Sequence, residues 1–353
     1  MMTLEYLQKH FDNAGLRYAA LDAGSGDTIL VSERGGRIFG PFGNGIFWFS
    51  GVFESPERFR KFLDSKDWNM GGDRIWIAPE IQFNISDRNR FWETLKTPEA
   101  VDPGRYRLSV FADRLVLEQR LDLEAHVIAS GALSLKLKRT IRRAENPLRE
   151  LPEFQALMNG VRFSGYEHLV ELSREGGNRD GAINAECWNL LQVAPPGRVY
   201  IPMFRAASGV NYYEPVLPFE KVEKRWVELC VTGKNRYKTG YRSTSITGRM
   251  AFTTQRGGTC FLLVRNFPNN PSAAYGEEPP LMPGEKGFSV HVYNDDGKSG
   301  GFAELECNLQ AIGIPAGYER AADRVSTWLF SGPEESLCTI SSLLTGIEQP
   351  VFT

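Results

Sequence analysis

Residues 106–141 carry the clearest strand signal in the chain. In "RLVLEQRLDLEA" Leu115 and Leu117 are set against charged neighbours, and in "ALSLKLKRTI" Leu133, Leu135 and Leu137 alternate with Ser134, Lys136 and Lys138. Successive side chains of a strand point to opposite faces, so this spacing predicts long antiparallel strands with one apolar and one solvated face. Further strands are expected at 198–204, 225–232, 246–254, 259–265, 286–293, 301–309 and 325–331, separated by Gly, Pro or Asn. That cadence is the one of a sandwich or barrel, and the strand–helix–strand rhythm of a parallel sheet is missing.

Helices have little room in a chain with 35 glycines and 20 prolines among 353 residues. Leu4, Leu7 and Phe11 fall at helical spacing, so residues 1–20 read as an N-terminal helical extension. "SPERFRKFL" supplies Ser55 as N-cap and Pro56 at the first helical position. Short helices are also expected from Asp87 through Leu95 and, after Pro333, over about 334–346. "DTILVSERGGRIFGPFG" predicts two strands around a Gly35–Gly36 turn. No linker, repeat or low-complexity tract divides the chain, so one continuous domain over 1–353 is expected.

A net charge of −2 provides no electrostatic footprint for nucleic acid or an anionic membrane. No apolar run is long enough to span a bilayer, and "MMTLEYLQKHFDNAG" has no hydrophobic signal core. The five cysteines, Cys187, Cys230, Cys260, Cys307 and Cys338, are scattered and never paired as CxxC. They fit free thiols in a reducing cytoplasm, the expected location. Phosphate-cradle, dinucleotide, nucleophile-elbow and zinc-protease motifs are all missing, so no cofactor and no metal are expected. "GPFGNG" at 40–45 reads as a loop between strands.

One stretch asks for a ligand. "MGGDRIWIAPE", residues 70–80, places Arg74 and Trp76 on one side of an alternating pattern, with Glu80 in register after Pro79 and with Ile75 and Ile77 opposite. "ECWNLLQV" repeats the mixture, placing Glu186, Trp188, Leu190 and Gln192 on one side. In "GFAELECNL" Glu304 and Glu306 share a strand face and could bind hydroxyls or do acid–base work; a solvated strand face is the alternative. A flat ring beside a guanidinium fork and carboxylates suits a saccharide or sugar derivative, which carries hydroxyls and apolar C–H faces. His10, His126, His168 and His291 are far apart in sequence. His168 and His291 are candidate acids, although a histidine is often merely structural.

"GGRIFGPFGNGIFWFS", "GGDRIWIAPE", the strand pair around "LSLKLKRTI", "WNLLQV" followed by "PPGRVYIP", and "LMPGE" at 281–285 occur in that order. Together they resemble the galactose mutarotase-like (aldose 1-epimerase-like) superfamily, in particular a bacterial branch with a similar GG-x-R-x-W-x-A-P-E stretch. The likeness spans roughly residues 25–330. It implies an all-β fold, a large antiparallel β-supersandwich of the galactose mutarotase-like type with a few short helices, and a sugar groove across one concave face. The epimerases of this superfamily open the pyranose ring with a histidine acid and a glutamate base. Here the matching histidine position is Ala185, or Glu186 with a one-residue slip, and the glutamate stretch holds Leu263, Val264 and Arg265. A rearranged pair would have to come from Glu186, Glu304, His291 or His168, with Arg74, Trp76, Glu80, Trp188, Gln192 and Glu306 binding substrate. The alternatives are a glycoside lyase or hydrolase using paired carboxylates on the same fold, and a non-catalytic interaction module.

Overall fold

The structure is a computed structural model that describes residues 2–65, 67–177 and 183–353. Twenty strands dominate it. In the first half these are β1 (Tyr18–Gly24), β2 (Asp27–Ser32), β3 (Arg37–Phe39), β4 (Asp73–Ala78), β5 (Arg107–Val110), β6 (Leu115–Ala125), β7 (Gly131–Arg143) and β8 (Arg162–Gly177). Then come β9 (Asn184–Val193), β10 (Gly197–Pro202), β11 (Val210–Asn211), β12 (Glu220–Val222), β13 (Trp226–Val231) and β14 (Tyr237–Arg242). The last six are β15 (Arg249–Arg256), β16 (Thr259–Asn266), β17 (Phe288–Asn294), β18 (Ala303–Asn308), β19 (Ile312–Gly313) and β20 (Arg320–Gly332). The helices are α1 (Leu4–Asn13), α2 (Pro56–Ser65), the single turns α3 (Glu80–Phe83), α4 (Phe91–Thr94) and α5 (Phe154–Leu157), and α6 (Glu334–Thr345).

The strands form two ten-stranded antiparallel sheets, as an all-β sandwich requires. The first runs β1-β2-β3-β4-β9-β18-β17-β14-β11, with β19 paired to β9; the second runs β12-β13-β10-β15-β16-β20-β8-β7-β6-β5. The leucine rows of β6 and β7 do what their spacing predicts. Leu117, Leu121 and Leu123, and Leu133, Leu135 and Leu137, are all buried in the main core between the sheets. Each such side chain contributes about 1.5–3 kcal/mol by leaving water. A second apolar cluster lies on the other face of the second sheet, where Leu337, Ile340 and Leu344 of α6 cover Leu262, Val264 and Phe330. A third holds α1 and α2 against Leu30 and Phe39.

The core row of β7 also contains Arg139, which is wholly buried. It pairs with Asp73 of β4 in the opposite sheet at 3.1 Å. Arg265 of β16 lies 3.4 Å from the same carboxylate. Tyr166 donates its hydroxyl to Asp73 at 2.8 Å and Asn189 its amide at 2.6 Å. This polar knot joins the two sheets through their otherwise apolar interface.

Three local details depart from the sequence reading. The Asp87–Leu95 segment is a 3-10 turn, Arg88–Arg90, followed by the single turn α4. β4 ends at Ala78, so Glu80 opens a helical turn instead of continuing the strand register. β8 and β14 were not expected as strands. The inward row of β8 includes His168, and Gly165, Gly176 and Gly177 interrupt its pattern, while "YKTGYR" of β14 has no aliphatic residue. The two glycines before β4 have a steric cause. Both adopt positive φ, and a Cβ on Gly71 would stand 2.5 Å from the Trp48 carbonyl oxygen, one on Gly72 2.8 Å from that of Ile38.

Candidate functional site

The outward face of the first sheet carries a second set of polar side chains, distinct from the Asp73 knot on its inward face. Strand register sets them in rows. Trp76 of β4 stands opposite Trp188 of β9. Gln192 of β9 faces Glu304 of β18, and Glu304 in turn faces Tyr293 of β17. Tyr293 faces Lys238 of β14. Loops rise around this patch and enclose a groove of about 600 Å³ whose floor includes Arg74, Trp76, Trp188, Lys238, Glu304 and Glu306. Glu80, Asp102, Trp68, Trp92, Tyr213 and Phe302 stand in the wall, with Lys96, Glu99, Arg236 and Tyr293 beside them.

The floor is built from ion pairs capped by rings. Arg74 Nη2 lies 2.7 Å from Glu304 Oε1, and its guanidinium carbon sits 4.3 Å from the centre of the Trp76 ring and 4.9 Å from that of Trp68. The Nε and Nη1 donors of Arg74 have no hydrogen-bond partner although the residue is wholly buried. Gln192 donates to Glu304 at 3.0 Å from beneath. Trp76 Nε1 donates to Asp102 at 2.9 Å, and Arg37 holds that carboxylate at 2.6 Å. On the far side Lys238 Nζ lies 2.9 Å from Glu80 Oε2, 3.8 Å from Glu306 Oε2 and 4.1 Å from the centre of the Trp188 ring. Trp188 Nε1 donates to Glu306 at 2.9 Å and Tyr213 donates its hydroxyl to Glu80 at 2.9 Å.

Burial pushes the Glu306 carboxyl up to about 8; Lys238 opposes this, and Glu304 and Glu80 add to it. A group so placed is largely protonated near neutral pH and is able to donate a proton. Burial works against the Lys238 ammonium, but Glu306, Glu80 and Glu277 outweigh it and hold its pKa above the usual lysine value. Behind the groove burial raises Glu277 well above the ordinary carboxylate range.

The structure brings Arg74, Trp76, Glu80, Trp188, Glu304 and Glu306 to one groove and seats Gln192 directly under it. Trp76 and Trp188 are only 6 % and 3 % exposed, and cations occupy ring faces that the sequence reading assigned to sugar stacking. Trp92, half exposed at the rim and packed on Arg236, has the more open ring. Glu186 shares the same sheet face but lies under the 275–278 segment. There its Oε1 accepts the N–H groups of Gly276 and Glu277, both at 3.0 Å, so it fixes that segment and does not line the groove. Burial raises its carboxyl to about 8, those two bonds opposing.

His291 is sealed against Tyr212 with ring centres 4.8 Å apart, and burial followed by Lys238 pushes its pKa well below the usual value. His168 is a correction of position. It stands between the sheets, 2.8 Å from Arg139, where burial and then Arg139 lower its pKa to about 3. A neutral imidazole there reaches no groove atom. The positions matching the epimerase pair fall outside the groove too. Ala185 is wholly buried against β19, and Arg265 belongs to the knot around Asp73. Sequence reasoning missed Lys238, Asp102 and Trp92. Lys238 follows a tyrosine in an unrecognised strand, Asp102 precedes Pro103 in a turn, and nothing local marks either as facing a groove. Among the described residues no group of three or more His, Cys, Asp or Glu is arranged to hold a metal ion. None of their helices is long and apolar enough to cross a membrane.

Comparison with protein-family models and with curated proteins gives no match. Among solved structures, the chain is similar to a 4-alpha-glucanotransferase from Thermococcus litoralis at 10 % identity and a TM-score of 0.35, over 88 % of this chain and 39 % of that one. The chain thus spans about two-fifths of that protein's length.

Proposed function

We propose that this chain is a carbohydrate-binding protein of the galactose mutarotase-like fold, and that the groove on its first sheet holds a sugar or sugar derivative. The observation that carries this reading is Arg74. Its guanidinium lines the groove, fixed by Glu304 and by two tryptophan rings, and two of its donor nitrogens are buried beside the groove without a partner. Buried donors of that kind demand acceptors, and vicinal hydroxyls offer them in the spacing of a guanidinium fork. The carboxylates of Glu80 and Glu304 accept hydroxyl protons in return, and Trp92 offers a ring face to sugar C–H groups. Thermal unfolding with a panel of neutral, amino, uronic and phosphorylated monosaccharides tests it. A ligand of the native state raises the midpoint by mass action. A shift with at least one saccharide, growing with the logarithm of its concentration, is expected; no shift with any of them contradicts the reading.

A second reading, isomerisation, rests on the raised Glu306 carboxyl beside Glu304. In it Glu306 donates its proton to the ring oxygen as the bond from that oxygen to the anomeric carbon breaks, and Glu304 takes the anomeric hydroxyl proton. Each such group supplies about 10²–10⁴-fold. Polarimetry on freshly dissolved α-glucose and α-galactose, comparing the parent with Glu306→Gln, decides it. Acceleration that the variant loses supports an isomerase, and release of reducing ends from a glycoside would instead favour a hydrolase.

A further inference from the structure

Among the buried ionisable groups in and behind the groove, five acids, Asp102, Glu80, Glu277, Glu304 and Glu306, meet three bases, Arg37, Arg74 and Lys238, while Lys96, Glu99 and Arg236 line the more exposed rim. Asp102 pairs with Arg37, Glu304 with Arg74 and Glu80 with Lys238, at 2.6, 2.7 and 2.9 Å. Two further buried carboxyl groups, Glu306 and Glu277, have no cation of their own among the described residues. Glu306 has only a share of Lys238 at 3.8 Å, and Glu277 Oε2 accepts the Glu80 N–H at 2.6 Å. Isolated buried carboxylates are costly, so each must take a proton or gain a cation. Burial raises both carboxyl groups above the ordinary carboxylate range, so a proton offsets that cost at each.

The walls point the same way independently. Three of the protein's own cations rest on rings here: Arg74 on Trp68 and Trp76, Lys238 on Trp188, and Arg236 on Trp92. Tyr293 and Phe302 line the same cavity beside Glu304 and Glu306. Aromatic faces next to carboxylates attract a desolvated cation and repel an anion.

We infer that the groove selects a hydroxylated ligand bearing a cationic amine, such as an amino sugar, with the ammonium placed at Glu306 between the aromatic walls and uronates and sugar phosphates excluded. This rests on the sugar reading for the hydroxyls and on the charge surplus for the amine. On binding, the Glu306 carboxyl gives up its proton to solvent and the ligand cation takes its place. Lys238, Arg74 and their carboxylate partners stay paired.

Calorimetric titration of the full chain at about pH 6.5, where an aliphatic amine is mostly protonated, separates the two parts. The probes are glucosamine, glucose, glucuronate, and choline with its neutral isostere 3,3-dimethylbutan-1-ol. Glucosamine is expected to bind about tenfold tighter than glucose, choline tighter than its isostere, and glucuronate not at all. Glu306→Gln should bring glucosamine down to the level of glucose. Glucose binding as well as or better than glucosamine overturns the amine inference and leaves the sugar reading standing. Choline binding with no saccharide binding does the reverse, and no binding by any probe overturns both. Should Glu306→Gln fail to fold, choline titrated into the parent in two buffers of different ionisation enthalpy reads the proton directly. Release approaching one proton is expected, and none overturns the inference.

Discussion

Arg74 brings a full positive charge into a position with no exposure to water. Its counter-charge, Glu304, is nearly as buried, so neither tolerates losing the other. Arg74→Ala is expected to lower stability by about 3–5 kcal/mol, because it leaves an uncompensated buried charge. Urea unfolding measures this, and a loss below about 1 kcal/mol would contradict the pairing. Glu306 gives a pH signature whose sign is fixed. Its folded pKa, about 8, lies above the unfolded value, so the folded state binds the extra proton. Its contribution is therefore complete below about pH 4.5 and is lost as pH rises towards 8 and beyond. Glu186 and Glu277 act in the same direction, so the test is a difference. The urea midpoint of the parent should fall between about pH 5 and pH 9 by more than that of Glu306→Gln. Equal slopes would show that Glu306 titrates normally. Arg74, Trp76, Glu304 and Glu306 were legible in the sequence because alternation alone assigns a strand face. Lys238 was not, because the residues around it give no apolar period, and the exclusion of His168 depends on which sheet β8 joins, a long-range pairing that no local window contains.

Among the elements, β4 bears the greatest load. It contributes Asp73 to the inter-sheet knot from one face and Arg74 and Trp76 to the groove from the other. Its position depends on the two glycines before it, where the chain passes against the loop bearing Trp48 and against β3. Gly71→Ala should therefore destabilise by about 1–3 kcal/mol through positive φ and the close carbonyl. It should also weaken ligand binding, since it displaces Arg74 and Trp76 together. An alanine variant with parental stability and affinity would show that the approach is not constraining. β6 and β7 were legible because their leucine rows recur over long strands, interrupted only by Gln119 and Arg139. β8 was hidden by its glycines and by a histidine in the inward row, and β14 by tyrosines that fill the core in place of aliphatic side chains. The helical turn at Glu80 follows from Pro79, after which the strand register no longer holds.

For the molecule as a whole, the two sheets are locked by apolar burial and by one charged contact across it. Asp73 meets Arg139 and Arg265 from the opposite sheet, and both arginines are wholly buried. Asp73→Asn would leave two buried guanidinium groups without a carboxylate, and a loss of about 3–5 kcal/mol is expected in urea unfolding; a neutral result would mean that carbonyl acceptors alone satisfy both arginines. The groove over β4, β9, β18, β17 and β14 is the proposed saccharide site. Four of the seven tryptophans, Trp68, Trp76, Trp92 and Trp188, line it, so their emission reports on its contents. The most direct test is a fluorescence titration of the parent and of Arg74→Lys with neutral and amino monosaccharides. A saturable change is expected in the parent with at least one saccharide, weakened in Arg74→Lys, where the donor fork is gone. Emission that stays unchanged up to the solubility limit of every sugar, or a response identical in the two proteins, would contradict it.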